Sequence, residues 1–404
     1  MMVHLIAGAI ASLLRCGVNA VPTSFWGYDM QCAVDGADLS SATSILRFVR
    51  QQLDNALSNK LGAGGENSLG LISEMKSSPS SFEAVLDAPV SLTRNDIGTA
   101  VGSNNLSARP NKNDNHDWSN TNSKAQFFLH KKSGDANKVW VLNIVKGLSF
   151  DFSDLHNCCE ICTEYTDATG AIAHKSWSLP DYFSQDVARE DYMKAYARWG
   201  QLAWHGWHFK SSDPADEHHL HIYVWPVVKD ASNESVNWSD LQHIPQNLLE
   251  SSALISSGGS PGSDCWSSMK MWHFASLGQD NGKACPSDIL WLGSDADELK
   301  PKRVTGTSCS NNEHTVSMDT PGCNAAHEFG HLIQISHTCD KMSLMFGGSA
   351  CTGVGNALQK NTAFIATDDH REMTREVSMR PHILWVEKMI EEKTGNRIRW
   401  VRTR

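Results

Sequence analysis

Histidines stand at positions 327, 331 and 337, and a glutamate follows the first of them. This run constrains the chain more than any other stretch. His327 and His331 are four residues apart, so on a helix they lie one turn apart on the same face. Two imidazoles so placed can share one metal ion. Glu328 then points beside the metal, where a bound water would sit. A catalytic zinc takes three protein ligands and keeps one position open; His337 is the third ligand nearest in the chain. The flanking residues support a helix here. Asp319 or Thr320 can cap it and Pro321 suits its first turn. Ala326, Phe329 and Leu332 then form its buried side, away from the two histidines.

The spacing resembles that of the metzincin zinc peptidases, whose pattern is H-E-x-x-H-x-x-G-x-x-H. His327, Glu328, His331 and His337 match it. Met345 lies eight residues after His337, in Ser343–Leu344–Met345–Phe346. That is where the family has a methionine turn beneath the metal, and the wording is similar to that of matrix-type members. His337–Thr338 is similar to the pappalysin type, and the subfamily stays unassigned. The resemblance implies an α+β fold with a mixed twisted sheet, a zinc helix, a Met-turn and a C-terminal helix. It implies one Zn2+ held by His327, His331 and His337. Glu328 would be general base and then general acid, and Met345 would shape the floor of the site without ligating. The implied activity is zinc-dependent endopeptidase action on protein or peptide substrates. Ca2+ is a further candidate cofactor, since some relatives hold it, although the chain has no D-x-D-x-D-G loop.

One position departs from the family. Its glycine after the second histidine is replaced by Gln334. Glycine serves there because the chain turns sharply, often with φ above zero. A glutamine so placed costs about 1 kcal/mol. The alternative is a helix that runs on past Gln334, with Asp340 or Asp368 as third ligand in place of His337. A second class of protein also carries this motif: a zincin-fold binding protein that holds zinc and hydrolyses nothing.

Composition bounds the rest. Net charge is −10 and 20% of residues are charged, with a pI near 6.0. This argues against nucleic acid or an acidic membrane surface as partner. Leu5–Leu14 is apolar but too short to span a bilayer, and Val18–Asn19–Ala20 offers a signal-peptidase site. The expected product is therefore secreted. Of 11 cysteines, Cys16 would leave with the signal, and an even number would remain for disulfides. Cys158, Cys159 and Cys162 beside His156 could instead form a second zinc site. Asn105, Asn233 and Asn237 head glycosylation sequons.

Taken in order, residues 1–20 read as a signal peptide, 21–183 as a pro- or accessory region, and 184–404 as the catalytic domain. Ser40–Leu57 has helical periodicity, and Gly62–Gly70 and Asn104–Ser123 read as loops. Ala125–His130 and Lys138–Lys146 read as a strand pair. Ser184–Trp204 reads as a long helix and His219–Val228 as a strand. His218, His219 and His221 alternate along that strand and read either as solvent-side histidines or as metal ligands. Met271–Leu277 and Asp288–Gly293 read as strands. Asp288–Leu292 or Thr315–Met318 would form the sheet edge that pairs with substrate. Thr367–Asp369 would open one helix and His382–Lys393 form another. The basic tail Arg397–Arg404 reads as solvated.

Overall fold

The computed structural model describes residues 24–25, 28–29, most of 47–97, 124–153, 160–178, 181–232 and 244–254, then 265–270, 329–335 and 368–402. The elements are β1 (Ser24–Phe25), β2 (Tyr28–Asp29), α1 (Ser68–Ser77), β3 (Phe82–Ala84), β4 (Val90–Leu92), β5 (Ala125–Lys132), β6 (Val139–Asp151), β7 (Glu160–Thr166) and β8 (Ile172–Ser178). They continue with α2 (Asp186–Trp204), β9 (Trp207–Ser211), β10 (His219–Asp230), α3 (Gln246–Glu250), β11 (Trp266–Lys270), α4 (Asp368–Thr394) and β12 (Trp400–Arg402). The fold is α+β.

Eight strands form one mixed sheet, with β12, β9, β10, β6, β5 and β3 in order, while β11 pairs with β6 and β4 with β5. Strands β10 and β11 run parallel to β6, and β5 antiparallel to it. Because β10 occupies the whole of one β6 edge, β11 continues the other edge beyond β5. The strand β6 reads VWVLNIVKGLSFD and is buried for most of its length. A strand apolar on both faces needs cover on both, as parallel strands usually do. Helix α2 is the crossover between parallel β6 and β10. The sheet takes β3 to β6 from before the expected division at residues 183 and 184, and β9 to β12 from after it.

Side-chain alternation separates the two faces. Phe127 opposes Ile144 in the register, and Phe150, six residues further on, shares that face. Phe150 meets the rings of Tyr192 and Tyr196 from α2, at 6.0 and 5.4 Å between centroids. Phe127 meets Trp385 from α4 at 5.4 Å. Both long helices therefore cover one face. On the other, the Tyr223 hydroxyl reaches the Ser68 carbonyl of α1, and Lys132 pairs with Glu74 of α1 at 2.7 Å.

The expected strand pair, long helix and later strand all form, each slightly longer or shifted at its ends. Helical residues between 47 and 62 bury Leu53, Leu57 and Leu61, in keeping with the periodicity there. Arg50 meets Asp191 at 2.8 Å and Asp54 meets Arg198 at 2.6 Å, fastening this segment to α2. Three expectations are corrected. Helix α1 begins inside the glycine-rich stretch, because Leu71, Ile72 and Met75 find the sheet to cover. The two expected C-terminal helices are one, running through Pro381. The basic tail is not solvated: Ile398 and Trp400 alternate inward and β12 joins the sheet through β9. The expected strands at 271–277 and 288–293, the candidate substrate edge and the loop 104–123 lie outside the described residues.

Candidate metal centre

The helix that carries the histidine motif is described from Phe329 onward. Phe329 is fully buried against Gly200 of α2, where an added Cβ would come within 2.4 Å of the Phe329 ring. Leu332, Ile333 and Ile335 are buried as well. Residues 329–335 are all buried, Gly330 and His331 as well as the expected inward Phe329 and Leu332.

The helix ends where the family glycine would stand. Gln334 has φ 75°, the one positive φ among described non-glycine residues. The Gln334 amide donates to the His331 carbonyl at 2.9 Å, and the Ile335 amide donates to the Gly330 carbonyl at 2.9 Å. These two bonds around a left-handed residue make a Schellman cap. Buried Ile335 supplies the apolar residue that usually accompanies it. The reading in which the helix runs on past Gln334 is therefore corrected: the chain turns here, as the glycine position implies. His382 of α4 donates its Nε2–H to the Ile333 carbonyl at 2.8 Å, satisfying another carbonyl of the last turn.

His331 is 2% exposed, and its Nδ1 lies 2.9 Å from the Ile335 carbonyl oxygen. A carbonyl only accepts, so Nδ1 carries the hydrogen and the ring's lone pair is on Nε2. A backbone carbonyl on the far nitrogen is the usual way a metal-binding histidine is oriented. The donor chemistry of His331 therefore fits a zinc ligand. His327, Glu328, His337 and Met345 lie outside the described residues, as does Asp340; Asp368 opens α4 and is described by its backbone alone. Among the described residues, no three His, Cys, Asp or Glu side chains form a group that could hold a metal.

The alternating histidines of β10 divide. His218 Nδ1 accepts from Trp140 Nε1 at 3.1 Å, and its Nε2 donates to Asp216 at 3.0 Å. His219 and His221 share the opposite face, and His221 is 4% exposed, so it is no solvent-side residue. His208 of β9 stands directly across from His221 in the register. Its ring lies 4.5 Å from that of His221 and 5.2 Å from that of His219. Sequence reading missed His208, since only the antiparallel register of β9 on β10 brings it there.

Burial pushes His208 down to about 3, helped by the neighbouring His221 and His219. Burial likewise pushes His221 down to about 4. Fully buried His382 falls to about 4 for the same reason, with the Ile333 carbonyl opposing the shift. All three are neutral at physiological pH.

Comparison with protein-family profiles, with curated proteins and with solved structures finds no match.

Proposed function

We propose that this chain is a secreted zinc-dependent endopeptidase of metzincin type. One observation carries the reading furthest: the helix ends in a left-handed cap at Gln334 and His331 is tautomerically set for Nε2 ligation. The sequence pattern demands a turn at that residue and a ligand at His331, and neither demand depends on the other. No helix among the described residues is long and apolar enough to cross a membrane.

In this reading His327, His331 and His337 hold Zn2+. The bound ion supplies Lewis acidity and a water acidic enough to ionise near neutral pH. Glu328 would accept a proton from the attacking water and return it to the leaving amine nitrogen of the substrate. The Ile335 carbonyl fixes the His331 ring, and Phe329 on Gly200 fixes the helix that presents Glu328. Met345 would pack beneath the site, as the resemblance implies. The partners are protein or peptide substrates, with export guided by residues 1–20, disulfides among the remaining cysteines, and glycans on the sequons.

Treating the full chain with a zinc chelator is the first test. Casein hydrolysis should cease and return on adding Zn2+. Hydrolysis that persists in excess chelator would contradict the proposal. A chain that binds zinc and never hydrolyses casein would instead be a binding protein on the same fold.

A further inference from the structure

The β9–β10 ladder carries a cluster that the reaction above does not use. His208 Nε2 and His219 Nδ1 face each other at 3.0 Å. His219 presents its other nitrogen, Nε2, to Glu217 Oε1 at 3.3 Å. The Lys210 ammonium sits on the same carboxylate oxygen at 2.9 Å. The His221 ring lies tilted at 36° beside that of His208, and its buried Nδ1 has no hydrogen-bond partner.

We propose that this cluster is a binding site for a divalent late transition-metal ion, with His208 Nε2 and His219 Nδ1 as ligands and Glu217 as the group that orients His219. The site is separate from the motif helix and stands whether or not the chain is a peptidase.

The chemistry is as follows. The Glu217 carboxylate, 3.3 Å from His219 Nε2, favours by its charge the hydrogen on that nitrogen and leaves the lone pair on Nδ1. A carboxylate behind an imidazole is a recurrent support for metal ligation, and losing it typically weakens binding 10- to 100-fold. The proton between the two rings then belongs to His208 Nε2. Metal binding moves it to His208 Nδ1, so both rings stay neutral and no proton is released. Two nitrogens about 2.1 Å from one tetrahedral ion lie roughly 3.4 Å apart. Rings that point at each other at 3.0 Å must part by a few tenths of an ångström and each turn by roughly 35° to aim at one ion. The His219 side chain is 29% exposed, which leaves room for water to complete the coordination. Lys210 opposes a cation, but its charge is already matched by Glu217. Imidazole donors suit Cu2+, Ni2+ and Zn2+, with Cu2+ bound tightest.

The test is Cu2+ titration of the full chain after chelator treatment, read by calorimetry and by electron paramagnetic resonance. The chain has 18 histidines, so a matched control is needed. His218→Ala serves: it immediately precedes β10 but is engaged by Trp140 and Asp216. The His208→Ala/His219→Ala chain should bind one Cu2+ fewer than the parent, while His218→Ala binds as many. Glu217 is solvent-exposed, so Glu217→Gln should fold and weaken that one site at least tenfold. In the parent, the resonance of that Cu2+ should show coupling to two or more nitrogens. An unchanged stoichiometry in the double variant together with an unchanged affinity in Glu217→Gln would overturn the proposal. Equal loss of the Cu2+ in His218→Ala would overturn it too.

Discussion

Gln334 holds its backbone in the left-handed region at the turn that follows His331. A Cβ in that region costs about 1 to 2 kcal/mol. Against Gln334→Ala, which loses the same side-chain bonds, Gln334→Gly should therefore be more stable by about 1 kcal/mol, seen as a higher urea midpoint at unchanged slope. Gln334→Val, β-branched, should destabilise the chain. The opposite order would mean that the turn is not strained. His382 gives a second residue-scale expectation. Its folded pKa of about 4 lies below the ordinary histidine value near 6.5. Between those values the unfolded chain binds more protons than the folded one, so stability rises with pH. The stability is complete above about pH 6.5 and is lost as pH falls towards 4, by on the order of 3 kcal/mol for this group. His208 and His221 act in the same direction. Urea midpoints at pH 7 and pH 5 check this, and His382→Gln should flatten the acid limb.

At the scale of elements, three helices lie on one face of the sheet and fix one another. Gly200 of α2 admits the Phe329 ring, and His382 of α4 caps the same helix at Ile333. Gly200→Ala should cost about 1 to 3 kcal/mol by overpacking, and it should also weaken zinc affinity by displacing the helix that bears His331. A Cβ added at Gly147 of β6 would come within 2.6 Å of the Trp266 ring. Gly147→Ala should lower stability and leave zinc affinity alone. Equal effects of both on zinc would contradict the assigned packing. Helix α4 shows where local rules lose. Pro381 removes a backbone donor and costs about 3 kcal/mol in a helix interior, so two helices were expected. Burial of His382, Ile383, Trp385, Val386 and Ile390 outweighs it. Propensity reads neighbours along the chain, and this gain comes from residues about 250 positions earlier. The same limit hid β12: Ile398 and Trp400 have strand alternation, but only β9 beside them makes the short run a strand. In contrast, β5, β6, α2 and β10 were legible, because each is long and strongly patterned. At the site, the turn at Gln334 was legible from its spacing to the histidines. His208 was not, since its partners are set by sheet register.

For the whole molecule, the sheet joins the front half to the back. Central strand β6 precedes residue 184, yet it pairs with β10 and β11 that follow. Arg50 and Asp54 add ion pairs to α2. A chain begun at residue 184 loses β3 to β6 and should not fold cooperatively. A soluble fragment 184–404 with a sharp unfolding transition would show that the two halves are independent. The most direct measurement is zinc content and casein cleavage of the full chain beside Glu328→Ala. The expected result is one equivalent of zinc at the histidine motif in both, with cleavage at least a hundredfold lower in the variant. Zinc in neither, or equal cleavage by both, would contradict the central claim.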